Sequence, residues 1–174
     1  MSDKSWEETY VYPILEQLKN TRALRNVIFL RGISGSGKST LRSLLCSLLG
    51  SERTDSFSAD DYFTRDGLYK FDINKISEAH MECVKSMEIA LQNPNIQYII
   101  LDNTHTRLWH LSNAENMANK YNAETYYIDI TVPDNTHFDL CLKRQCHNVP
   151  EEVLLEQWTN WEEHPKSMCI PMCI

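Results

Sequence analysis

Val27-Ile28-Phe29-Leu30 leads through Arg31 into Gly32-Ile33-Ser34-Gly35-Ser36-Gly37-Lys38-Ser39-Thr40, and a Leu-rich segment follows to Leu49. Four consecutive apolar residues read as a strand buried on both faces. The pattern G-x-x-x-x-G-K-[ST] requires a strand before it, a glycine turn and a helix after it. All three are present. A strand of this kind needs helices over both sides of its sheet, so the chain is directed to an α/β fold. The same residues carry chemistry. Glycines let successive backbone N–H groups wrap a phosphate, and the helix N-terminus points at the same anion. Gly32, Ser34, Gly35, Ser36, Gly37, Lys38, Ser39 and Thr40 are therefore the nucleotide-binding candidates. Lys38 is placed to bridge the β- and γ-phosphates of ATP, and Ser39 to give its hydroxyl to Mg²⁺. Ser34, Ser36 and Thr40 need no role beyond loop and cap.

The remaining periodicities extend the alternation. Residues 5–20 read as a helix with Trp6, Val11, Ile14, Leu15 and Leu18 on one face, interrupted or restarted at Pro13. Residues 54–59 read as a weak second strand, 60–72 as a loop with Gly67 as its turn, and 73–92 as a helix capped by Asp72. Tyr98-Ile99-Ile100-Leu101 is a central parallel strand, followed by a helix over 107–121 and a strand over 125–130. Helices follow over 135–147 and 150–163, and the terminal MCIPMCI is a candidate fifth strand. This gives an N-terminal helical extension over 1–26, a domain over 27–164 and a tail over 165–174.

A chain of 174 residues with 42% hydrophobic content forms one soluble domain without staples. No stretch of about 18 apolar residues is present, so no membrane span is expected. MSDKSWEETY has no apolar core of a secretory signal, and the expectation is a cytoplasmic or nuclear protein. The six cysteines have no framework spacing and are expected as free thiols. His137, Cys141, Cys146 and His147 fall in one helical segment and cannot close around zinc by themselves. A net charge of −7 argues against broad binding to duplex nucleic acid, though not against a cleft for one strand end.

Several phosphate-loop classes drop out. Asn119-Lys120-Tyr121-Asn122 lacks the Asp of a guanine-reading N-K-x-D. The strand at 98–101 ends in Asp102-Asn103 rather than the Asp-Glu of many motor ATPases, and the chain ends too soon for a helical ATPase lid. A small kinase remains. One H-x-[ST] motif, His110-Leu111-Ser112, is too little for the paired motifs of a phosphodiesterase.

In a parallel sheet the strand C-termini open on the edge that carries the phosphate loop. Asp60 and Asp102 both follow strands on that edge. Asp60 is the candidate general base for an acceptor hydroxyl, with Asp61 assigned to a helix cap or solvated loop. Asp102 is the candidate Mg²⁺ ligand beside Ser39. Asn103 and Thr104 are candidates for the acceptor. Arg144 is the candidate lid arginine that neutralises a transferring phosphoryl group, and Arg65 a candidate for an acceptor phosphate.

GISGSGKST, SADDYF, GLYKFD, EAHMEC, ILDNTHTRLW and KRQCHNVPEEVL with WTNWEE together resemble the polynucleotide-kinase branch of P-loop kinases. The set is most similar to the small AAA-33-like kinase domains that accompany 2′,3′-cyclic-nucleotide phosphodiesterase and RNA-repair proteins. The resemblance spans Val27 to Trp161. It implies a three-layer α/β/α fold with strand order 2-3-1-4-5 and a short helical lid. It also implies transfer of the ATP γ-phosphate to a 5′-hydroxyl end of RNA or DNA. On it, Lys38 and Ser39 match the phosphate and Mg²⁺ ligands, Asp60 the base and Arg144 the lid arginine. Arg65 lies near the position of an acceptor-phosphate arginine. Separate repair or ligase proteins are the implied partners. The sequence departs from the pattern at His105, where Asn is frequent, at His110, where an acid is, and at Asn148, which replaces a Gly in H-G-V-P. Kinases of a small metabolite or nucleoside, and a nucleotide-binding interaction module, are the alternatives.

Overall fold

The computed structural model describes residues 4–65 and 68–173, without the side chains of Arg65 and Leu68. Five parallel strands form the main sheet: β1 (Asn26–Arg31), β2 (Thr54–Phe57), β3 (Tyr98–Asp102), β4 (Glu124–Thr131) and β5 (Ser167–Pro171). Their spatial order is 2-3-1-4-5. β1 is central, with Val27 level with Ile99 of β3 on one side and Thr125 of β4 on the other.

Alternate residues of β1 feed two cores. Ile28 and Leu30 face a cluster containing α1 (Tyr12–Lys19), α2 (Lys38–Leu49), α6 (Asn135–Arg144) and α7 (Glu151–Thr159). Val27 and Phe29 face a second cluster built on α4 (Ile76–Gln92) and α5 (Ser112–Lys120). All four side chains are fully buried. Each stabilises the fold by roughly 1.5–3 kcal/mol relative to exposure, which is why unbroken apolar runs suit β1 and its neighbour β3, both covered on two faces.

The N-terminal segment opens with a π-helical turn, Glu7–Val11, and continues as α1. Pro13 lies in the first turn of α1, where a missing N–H is tolerated. Val11, Ile14, Leu15 and Leu18 follow helical spacing and join the same core as α2. β5 closes the sheet beside β4, with Ile170 level with Ile130.

Several boundaries differ from expectation. β2 ends at Phe57, because Ser58 becomes the N-cap of a short helix, α3 (Ala59–Phe63), within the stretch read as a loop. After α3, Thr64–Arg65 pairs antiparallel with Leu68–Tyr69, while the turn assigned to Gly67 lies outside the described residues. Asp72 does cap a helical start, but of the 3₁₀ turn Ile73–Lys75 that precedes α4. A similar 3₁₀ turn, Leu108–Leu111, precedes α5. The two lid helices are shorter than their periodicity suggests. Gln145 turns extended, Asn148 enters the left-handed region at φ 52°, and α7 starts only after Pro150.

Candidate active site

β1 delivers the chain to the sheet edge at Arg31, and the glycine loop turns it back into α2. Gly37 supplies the N-cap of α2 at φ 104°. Gly35 has φ 78°, and a Cβ there would lie 2.2 Å from the Cys141 carbonyl oxygen of α6. Only glycine lets α6 rest directly on the loop. Several hydrogen bonds tie the loop down. Gly32 N–H donates to the Thr104 carbonyl at 3.1 Å, and Ser36 N–H to the Ile33 carbonyl at 3.2 Å. Ser34 N–H donates to Gln157 Oε1 of α7 at 2.9 Å. Thr40 is exposed and lines the cleft over the loop.

Lys38 is half-buried and donates from Nζ to the Ile33 carbonyl at 3.0 Å. Burial pushes its ammonium down from the usual lysine range, while Asp102 and Asp60 pull it back up. Ser39 Oγ donates to Asp102 Oδ2 at 2.9 Å. Asp102, 4% exposed, ends β3 beside β1. Two oxygen donors thus meet at the head of the phosphate loop, the donor type that a hard divalent cation takes. The residues present fit Mg²⁺.

Both aspartates of SADDYF lie in the first turn of α3, which points them to different partners. Ser58 N–H donates to Asp61 Oδ2 at 2.8 Å, and Asp60 N–H to Ser58 Oγ at 3.2 Å, so Asp61 is spent on the cap. It also pairs with Arg42 at 3.1 Å. Asp60 instead projects into the cleft. Its Oδ1 accepts from the Tyr69 hydroxyl at 3.1 Å, and its Oδ2 lies 3.8 Å from His147 Nε2. The Tyr69 and His147 rings are 4.0 Å apart, so the hairpin and the lid meet over Asp60. Burial and the neighbouring Asp60 charge push the Tyr69 hydroxyl above its ordinary range, keeping it a donor.

Asn103 is 7% exposed, and its side-chain oxygen accepts from Ala59 N–H at 2.8 Å. It therefore pins the start of α3 to the end of β3, and through α3 it sets the position of Asp60. Arg144 lines the cleft, with its guanidinium donating to the Cys173 carbonyl. Turning onto a phosphoryl group would require that bond to break. Asn148 keeps the left-handed backbone of the position where the resembled pattern has Gly, a conformation Asn tolerates better than most residues. The side chain of Arg65 lies outside the described residues.

The cleft occupies about 910 Å³ and brings together the glycine loop, Lys38, Ser39, Asp60, Asp102, Asn103, Thr104 and Arg144. Sequence reasoning missed several supporting residues. Arg42 binds Ser56 through Nε at 2.8 Å and ties α2 to β2. Arg31 is fully buried, pairs with Asp129 at 2.8 Å, donates to the His105 and Glu162 carbonyls, and stacks on Trp161 at 4.6 Å. Burial pushes the Asp129 carboxyl above the usual carboxylate range, with Arg31 opposing it. A charged residue closing a buried strand was the one available signal for this pair.

The AAA domain model AAA_33 matches residues 27–165. The chain belongs to the AAA_33 family. Its fold is that of the P-loop kinases. Human NEDD4-binding protein 2 is 36% identical over 88 residues, covering 49% of this chain and 5% of that protein. The chain thus spans about one-twentieth of that relative's length. Among solved structures, a gluconokinase from Sinorhizobium meliloti aligns with TM-score 0.59 and 13% identity over 88% of this chain and 86% of the other. A chain of the Pnkp1/Rnl/Hen1 RNA repair complex aligns with TM-score 0.58 and 20% identity over 81% of this chain and 45% of the other. At these identities both likenesses concern the fold.

Proposed function

We propose that this domain is an ATP- and Mg²⁺-dependent kinase that transfers the γ-phosphoryl group to a 5′-hydroxyl end of RNA or DNA. The observation that carries the reading is the convergence of Lys38, the Ser39–Asp102 pair and Asp60 in one cleft. A pure nucleotide binder has no use for the cleft-facing carboxylate. Asp60 takes the proton of the acceptor hydroxyl as its oxygen attacks the γ-phosphorus. The bond to the β-phosphate breaks, and ADP leaves with the electron pair. Lys38, and Arg144 once released from Cys173, offset the charge that spreads over the phosphoryl oxygens. Ser39 and Asp102 would hold Mg²⁺, which would supply further neutralisation of the phosphoryl charge. Tyr69 and His147 orient the carboxylate of Asp60.

The acceptor class rests on two supports. The resemblance of SADDYF, GLYKFD and DNT to polynucleotide kinases covers the acceptor side of the cleft. Aromatic groups surround Asp60 there, with Tyr69, Phe71 and His147 all lining the cleft, and such rings suit an unstacked terminal base. Transfer of label from γ-labelled ATP to a 5′-OH oligonucleotide tests the reading. Asp60→Asn is expected to lower transfer about 10²–10⁴-fold and to leave nucleotide affinity nearly unchanged. A folded protein that labels neither RNA nor DNA ends the nucleic-acid reading. The net charge of −7 favours the second reading, a small-metabolite acceptor. Turnover that is indifferent to salt on a metabolite panel would select it.

A further inference from the structure

Trp6 precedes the helix that carries the N-terminal segment, well before the phosphate loop in sequence, yet it lines the same cleft as Lys38 and Asp60. Its indole N–H donates to the Pro171 carbonyl at 3.0 Å, which fixes the ring at the C-terminal end of β5. Arg144 reaches the Cys173 carbonyl two residues further along the same strand end. Trp6 and Arg144 are thus both anchored at the C-terminal end of β5 and line the same cleft. The strand order places them relative to the chemistry. Asp60 follows β2, two strands from β1 on one side, and Pro171 ends β5, two strands from β1 on the other. With strands about 4.8 Å apart, each lies roughly 10 Å across the sheet from the phosphate loop.

A nucleoside triphosphate on the loop must turn its terminal phosphoryl group toward Asp60 and Asp102. Its nucleoside then extends the opposite way, toward β5. We propose that the nucleobase stacks against the indole of Trp6, beside Thr40, Leu44, Arg144 and Cys173 on the cleft wall. The inference rests on the kinase reading and adds a base-binding wall contributed by the N-terminal segment. Trp6 is half-buried and its ring contacts Tyr10 at 6.1 Å between centroids, so the indole is held rather than free to rotate. A flat ring already fixed by a hydrogen bond loses little entropy on stacking.

The test compares ATP with inorganic tripolyphosphate, both with Mg²⁺, by titration calorimetry on the full chain. Trp6→Ala is expected to weaken ATP by roughly tenfold to a hundredfold, the range for loss of one base–aromatic stack, and to leave tripolyphosphate within about twofold. Trp6→Phe keeps a flat face and is expected to restore most of the ATP affinity. Where Trp6→Ala unfolds the chain, Trp6→Leu keeps apolar bulk without the ring and should show the same selective loss. Equal weakening of both ligands, or of neither, overturns the proposal while the kinase reading stands. A folded wild-type chain that binds neither ligand overturns both. Tripolyphosphate binding as tight as ATP in the wild type overturns the base contact alone.

Discussion

His105 provides a pH-dependent reading of how tightly the site's rear wall is packed. It follows the β3 end by three residues, is 4% exposed, and lies edge-on to Phe29 at 6.0 Å between ring centroids. Its Nδ1 has no hydrogen-bond partner, while its carbonyl accepts from Arg31. Burial above all, with the nearby His80, His110 and Arg31 charges, pushes the imidazole down to about 3. The unfolded chain restores an ordinary value of about 6.5. Between these values the unfolded state binds the extra proton, so stability rises with pH there. The contribution is fully present above about 6.5 and is lost as pH falls toward 3. At pH of about 4.5 the loss is roughly 2–3 kcal/mol relative to neutral pH, and it stays so for any folded value below about 4.

His105→Asn isolates this effect. His105 has φ 45°, and Asn tolerates that left-handed backbone without a titrating ring. Denaturant unfolding at pH about 7.5 and about 4.5 is the assay. The wild type is expected to lose roughly 2–3 kcal/mol more than the variant on acidification, since His80, His110 and His164, all pushed down by burial, contribute to both. Parallel losses in the two proteins would refute the account, because they would mean that His105 carries the same proton folded and unfolded.

Gly35→Ala forces a methyl group against the Cys141 carbonyl from a left-handed backbone; a cost of about 1–3 kcal/mol is expected, seen as a lower melting temperature. Arg31→Met leaves Asp129 buried without its partner and should destabilise by about 3–5 kcal/mol, while the further change Asp129→Leu should recover part of it; no recovery in the unfolding curves would argue against the pair. Asn103→Ala orphans the Ala59 N–H at a cost of about 1–3 kcal/mol. Because Asn103 sets α3, transfer should fall further than ATP affinity, and an equal fall in both would remove its positioning role.

The β1–loop–α2 unit was legible in sequence because each part is locally determined. An unbroken apolar run suits a strand covered on both sides, and Gly35 and Gly37 occupy positive φ in the turn. Four strands and their alternation with helices followed from periodicity, the fifth was only a candidate in the terminal MCIPMCI, and the strand order came from the family resemblance. Less local features were not legible. Whether 60–72 coils or folds depends on a capping box of two local side-chain contacts at Ser58 and Asp61, which a propensity reading does not separate from a polar loop.

Sequence alone determined that a glycine loop stands at the head of a buried central strand, since glycine placement and hydrophobic burial act over a few residues. The tertiary structure decided how α3 turns the Asp60 carboxylate into the cleft while Asp61 closes the cap. It also decided what holds that carboxylate, and that Arg31 finds Asp129, Gln157 reaches the loop and Trp6 joins the wall. Those pairings span up to 165 residues of chain. They exist only because the strand order brings distant segments to one edge of the sheet, where no local pattern records who the neighbour will be.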